Sequence, residues 1–157
     1  MLKYIACLCL IPYAAAARIG ETLQQCESRY GPSTALKIEA ETAVYSFTKG
    51  PFTIAAIIWK GTVHNLMISK RGENASGISQ DLTEAELETF LEANRGESFW
   101  IKRTADSGNY VFWESSDNRR RAIFEIRTGL LLLSTNEYDT KRAADKAAEE
   151  KATLRGF

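Results

Sequence analysis

The segment FTIAAIIWKGTVHNLMIS, residues 52–69, restricts the fold more than any other part of the chain. Two runs rich in β-branched and aromatic residues flank Lys60-Gly61, a pair suited to a two-residue hairpin turn. With regular pairing, Trp59 faces Thr62, Ile57 faces His64, Ala55 faces Leu66 and Thr53 faces Ile68. These side chains share one face, because alternate residues of a strand point the same way. The other face then carries Ile54, Ala56, Ile58, Val63, Asn65 and Met67. Both faces are largely apolar, so the hairpin is expected inside a sheet with cover on each side.

Period-two alternation and β-branched or aromatic content predict further strands over 43–48, 99–103, 110–114, 121–127 and 130–133. Short connections (TKGP, ADSG, SSDN, TG) imply antiparallel neighbours. Three helices announce themselves by their starts. TLQQ, TEAE and STNE each place a hydroxyl residue three positions before a Gln or Glu, the spacing of a capping box, with Thr22, Thr83 and Ser134 as the capping residues. Leu82 with Leu87 and Leu133 with Tyr138 have the spacing of hydrophobic staples. Gly31-Pro32 and Gly96 supply the stops of the first two helices. The order is helix, meander, helix, meander, helix. It predicts an α+β fold of antiparallel meanders, each preceded by a helix, in one domain over 18–157. Residues 18–70 and 81–134 would form two similar halves, and 135–155 a charged, alanine-rich C-terminal helix.

The first half also resembles a known family. GETLQQCESRYGP, Gly20 to Pro32, is similar to the opening motif of the SmpA/OmlA-type outer-membrane-assembly lipoproteins of bacteria. There, Gly and Thr start a helix that closes on Gly and a nearby Pro, and an antiparallel meander follows. Gly20, Thr22, Gly31 and Pro32 occupy those places, with Cys26 and Tyr30 on the apolar positions; the lipid-bearing cysteine is missing. The IIWKGTVH hairpin is similar to FWKGKVH-like hairpins of uncharacterised small exported bacterial proteins. Neither resemblance implies an activity.

The chain begins MLKYIACLCLIPYAAAARIGE. A positive Lys3, an apolar stretch from Tyr4 to Tyr13 and the small residues Ala14–Ala17 have the layout of a cleaved signal peptide over 1–17. The apolar stretch is shorter than the roughly 20 residues a spanning helix requires. Export to the periplasm or beyond, without stable membrane insertion, is therefore expected. Cleavage removes Cys7 and Cys9 and leaves Cys26 alone, so no intramolecular disulfide is expected. It also removes Lys3, the one charged residue in the segment, leaving 19 basic against 20 acidic residues. That balance speaks against a polyanionic partner such as nucleic acid.

Reactive groups are few. His64 is the one histidine, and an aliphatic cross-strand neighbour together with Trp59 marks it as a sheet residue. Cys26 shares a helical stripe with Leu23 and Tyr30, the setting of a buried, inert thiol. No G-x-S-x-G elbow, P-loop or dinucleotide fingerprint occurs. One His and one mature Cys do not make a usual zinc site, and no cofactor or metal is expected. Glu114 and Asp117 in ESSDN read as a polar hairpin tip, and NAS at Asn74 as a chance match to a glycosylation sequon.

What remains is a candidate contact surface in the second half: Tyr110, Phe112 and Trp113, with Arg119, Arg120 and Arg121. Tyr110 and Phe112 share one face and Trp113 takes the other, so one layer cannot bury all three. The arginines read as a solvated strand edge, where charge discourages sheet-to-sheet pairing. The expectation is a non-enzymatic protein acting by contact with an envelope or extracellular protein. The alternatives are a glycan or small-ligand binding module, and a hydrolase with a cryptic Cys–His or carboxylate site.

Overall fold

The computed structural model describes residues 18–39, 41–72, 81–103 and 108–155. The leader segment 1–17 with Cys7 and Cys9, and the Asn74 sequon, lie outside the described residues. In chain order the elements are α1 (Leu23–Tyr30), β1 (Thr34–Ile38), β2 (Thr42–Lys49), β3 (Phe52–Trp59), β4 (Thr62–Lys70), α2 (Glu84–Asn94), β5 (Trp100–Arg103), β6 (Tyr110–Ser115), β7 (Arg120–Glu125), β8 (Leu130–Thr135) and α3 (Asn136–Leu154). The fold is α+β. All eight strands form one antiparallel sheet in the order β1-β2-β3-β4-β8-β7-β6-β5. The order is the same read from either edge: each half is a helix followed by a four-stranded meander, and their last strands meet at the centre.

Local chemistry sets the helix starts. Thr22 and Thr83 each accept from the amide three residues on, while Gln25 and Glu86 reach back to the cap amide. Both boxes form as their spacing predicts. The third start differs. β8 stays paired with β7 as far as Thr135, which faces Arg120, so Ser134 remains in the sheet and Thr135 becomes the N-cap, accepting from Tyr138 N. With the helix shifted one residue, the Leu133–Tyr138 staple loses its register. A polar link takes its place, with the Ser134 hydroxyl donating to Asp139 Oδ2 at 2.7 Å.

α1 and α2 cover one face of the sheet, called inner below. Tyr30 packs edge-on against Phe47 (5.5 Å between ring centroids) and Phe90 against Phe52 (5.2 Å). Cross-strand partners Ile54–Ile68, Leu66–Leu133 and Ile68–Leu131 fill the centre beneath them. Val63, Ile68, Leu131 and Leu133 are 0 % exposed. Each such side chain contributes on the order of 1.5–3 kcal/mol by leaving water.

The hairpin register departs from regular pairing. Trp59 faces Thr62 as expected, but Ile57 faces Asn65, Ala56 faces Leu66 and Ala55 faces Met67, with a β-bulge between. His64 is the extra residue. It turns to the same face as Asn65, and from there on the inner set becomes Leu66 and Ile68 instead of Asn65 and Met67. The bulge lies where the segment before α1 joins the sheet: Gly20 N donates to Val63 O, and Val63 N donates to Glu21 O, each at 2.8 Å. That segment covers the β4 edge beside the point where β8 departs into α3.

Beside it lies a partly buried ion pair, Arg29 to Glu21 at 2.5 Å, held on the inner face with Cys26 and Tyr30. The Tyr30 hydroxyl is buried with no hydrogen-bond partner among the described residues. An unmet buried hydroxyl costs about 1–3 kcal/mol. Tyr30→Phe, which keeps the ring against Phe47, is accordingly expected to raise the urea midpoint and gain about 1 kcal/mol. A lower midpoint would show that the hydroxyl is solvated.

Candidate functional site

The face opposite α1 and α2, the outer face, is built from the alternate residues of every strand. Direct cross-strand partners form a row, Ser46–Ala55–Met67–Leu132–Ile123–Phe112–Arg103, that crosses seven strands. Its middle five positions are apolar and all half-buried. No helix among the described residues lies over them. The neighbouring row runs Val44–Ile57–Asn65–Ser134–Arg121–Glu114, turning polar at Asn65. The outer face thus carries an apolar band bounded by polar side chains.

α3 begins at the polar side of this band and leaves it. Tyr138 is buried against Trp59 (5.8 Å) and His64 (6.3 Å). Arg121 pairs with Asp139 at 2.6 Å and Lys60 with Glu137 at 2.9 Å. From Arg142 to Arg155 every residue is exposed, the Ala144, Ala148 and Ala152 seam included. The helix is anchored by its first turn and projects.

The six sequence-predicted contact residues do not form one surface. Tyr110 and Phe112 lie on the outer face, their rings 6.0 Å apart and tilted by 44°, which does not make a flat stacking platform. Arg121 joins that face through its ion pair with Asp139. Trp113 is buried on the inner face, opposite Ala122. Arg119 sits exposed in the β6–β7 turn. Arg120 points inward, where its Nη1 donates to the Asn94 carbonyl at 2.6 Å. The strand-edge reading of these arginines is corrected by the topology. β7 lies between β6 and β8, so charge there does not guard an edge. Sequence reasoning missed Met67, Leu132 and Ile123 as surface residues, because an apolar residue in a strand reads as core until the sheet's cover is known.

His64 and Cys26 lie on opposite faces of the sheet, so they form no dyad. Cys26 is 1 % exposed, and burial pushes its thiol up to about 12, with Glu21 adding to the shift. The thiol is then protonated at pH 7, and the nucleophilic thiolate is suppressed. Native protein is expected to resist iodoacetamide at neutral pH and to react once unfolded in urea; mass spectrometry of the two samples checks it. Among the described residues, no group of three His, Cys, Asp or Glu side chains is placed to hold a metal ion.

The imidazole of His64 is held at both nitrogens. Nδ1 lies 2.9 Å from the Thr135 hydroxyl and Nε2 lies 3.3 Å from the Thr62 hydroxyl. In the neutral imidazole one ring nitrogen donates to its threonine hydroxyl and the other accepts from its own, and either tautomer satisfies both contacts. That network fits the neutral ring. Burial lowers the His64 pKa below 6.5, opposed by Glu137 and reinforced by Lys60. A lowered base destabilises the fold only when protonation begins, so stability is full above pH 6.5 and falls as the pH drops through that value toward the folded pKa. Thermal melts from pH 7.5 to 5 are expected to show this decline, and His64→Gln to flatten it.

No family model matches the chain, and no curated protein matches it. Among solved structures, the chain is similar to a cysteine-rich secretory protein from Staphylococcus aureus. That likeness has 12% identity and a TM-score of 0.42, covering 76% of this chain and 44% of that one. The chain therefore spans less than half the length of that protein.

Proposed function

We propose that this is an exported bacterial protein that acts without catalysis, by binding another protein of the envelope or the extracellular space through the outer face of its sheet. The observation that carries the reading is the band Ala55–Met67–Leu132–Ile123–Phe112, half-buried and bordered by Arg103, Arg121 and Glu114. An apolar centre with a polar rim, rich in aromatic and arginine side chains, is the usual anatomy of a protein interface. The leader layout of residues 1–17 supports export, as does the likeness of the Gly20–Pro32 motif to outer-membrane-assembly lipoproteins. Charge balance supports a protein partner over a polyanion.

The experiment is crosslinking of the full chain, expressed in its own bacterium, against a Met67→Glu, Leu132→Glu pair. A partner crosslinked to the wild type and absent from the pair, at unchanged thermal stability, upholds the reading. A partner retained by the pair would place contact elsewhere. Intact-mass measurement of the exported protein tests the leader: loss of 1–17 is the expected result.

A further inference from the structure

We propose that the cleft between the C-terminal end of α2 and the start of β7, on the inner side of the sheet, binds a monocarboxylate with a flat apolar body. This site is separate from the outer face. The cleft has a volume of about 1270 Å³. Its apolar lining comes from Ile19, Leu91 and Trp100. The Trp100 ring is fixed, because its indole N–H donates to Leu91 O at 2.6 Å.

The charged wall is Arg120. Its guanidinium lies against Gly96, where an added Cβ would come within 2.9 Å of Nη1 and 3.1 Å of Cζ. Gly96 also has φ +66°, so glycine serves there both for the turn and for the approach of the arginine. Nη1 is committed to the Asn94 carbonyl. Among the described residues no carboxylate lies within ion-pair distance of Arg120, although Arg121 beside it pairs with Asp139. Burial holds Arg120 below the ordinary arginine pKa, with only Asp117 opposing, as for a cation short of a counter-ion. Asp117 is itself engaged in the turn, accepting from the Ser115 hydroxyl and Arg119 N. A fixed guanidinium with free edges is the side chain best suited to a carboxylate.

The remaining charges define the ligand further. Arg95 is used by Glu92 (2.6 Å) and by Ser98 O (2.9 Å). Glu88 and Glu92 stand exposed at the lip, and Arg18 lines the cleft with them. Acidic groups at the mouth disfavour a polyanion, while the half-buried Arg120 below them, with Nη1 already used, offers its remaining edge to one carboxylate. The apolar lining then takes an aromatic or aliphatic body, as the apolar walls of ligand sites do. The carboxylate belongs either to a small free acid or to the C-terminus of a peptide.

Titration of ¹⁵N-labelled protein with phenylacetate tests the site, read on the Trp100 indole N–H resonance. A saturable shift with phenylacetate and none with phenylacetamide is expected; no shift, or equal shifts, overturns the proposal. Arg120→Lys should weaken phenylacetate about tenfold by losing the planar fork. Glu88→Gln, at an exposed position, should tighten it. Unchanged affinity in a folded Arg120→Lys protein also overturns the proposal, and if that variant does not fold, the acid-against-amide comparison on wild type decides. A peptide ending in phenylalanine, free or amidated, separates the two sources: binding of the free form alone points to a protein C-terminus, binding of phenylacetate but neither peptide to a small acid.

Discussion

Leu133→Ala is expected to remove about 4 kcal/mol of stability, near the top of the range for a buried leucine. Leu133 is 0 % exposed on β8, with Leu66 of β4 on one side and Ala122 of β7 on the other. The cavity has little chance to collapse, because Ala122 is too small to move in and Leu66 is itself pinned in a strand. The position also joins the two halves, whose one strand-to-strand contact is β4 with β8. The loss therefore falls on the whole sheet. Urea unfolding should shift to lower concentration as one transition, with circular dichroism and tryptophan fluorescence coincident. Two separated transitions would mean that the halves fold as independent units.

Asn94→Ala is expected to cost about 2–3 kcal/mol, from unmet buried groups and lost packing. Asn94 is 0 % exposed, and its side chain ties two parts of the chain together. Oδ1 accepts from Ile19 N at 2.8 Å, and Nδ2 donates to Phe90 O at 2.9 Å. Alanine leaves the Ile19 amide without that acceptor and frees the segment that covers the β4 edge. Hydrogen exchange at Ile19, Gly20 and Val63 should accelerate more than exchange in β6 and β7. Uniform acceleration would instead assign the cost to global stability alone.

Much of the fold was legible because its signals are local. A hydroxyl three residues ahead of Gln or Glu can close its bonds within one turn, and at Thr22 and Thr83 that local pattern marks the helix start. Turn residues and β-branched runs similarly mark β3, and β4 to within a residue. β1 carries no such mark: TALKI is short, wholly exposed and lacks alternation, and it is a strand because β2 offers it an edge. Ser134 has the spacing of a third cap, because STNE fits the box as well as any segment. The β7–β8 ladder decided against it.

The candidate surface was less legible. Adjacent pairs such as Ala55-Ala56, Ile57-Ile58 and Leu66-Met67 are apolar on both sides, so alternation does not say which member faces inward, and a one-residue bulge exchanges them. Asn65 and Met67 changed sides for that reason. Three consecutive arginines likewise carry no label: the turn takes Arg119, the inner face Arg120 and the outer face Arg121.

The amino-acid sequence by itself determined the kinds of element, their order and the antiparallel meanders, because each depends on bonds and spacings within a few residues. The tertiary structure alone decided which face of the sheet is covered, where α3 leaves it, and that Arg120 comes under α2 against Gly96. Those outcomes depend on the joining of β4 to β8 and on a bulge at His64. Both are fixed by contacts between residues far apart in the chain, which no local pattern records.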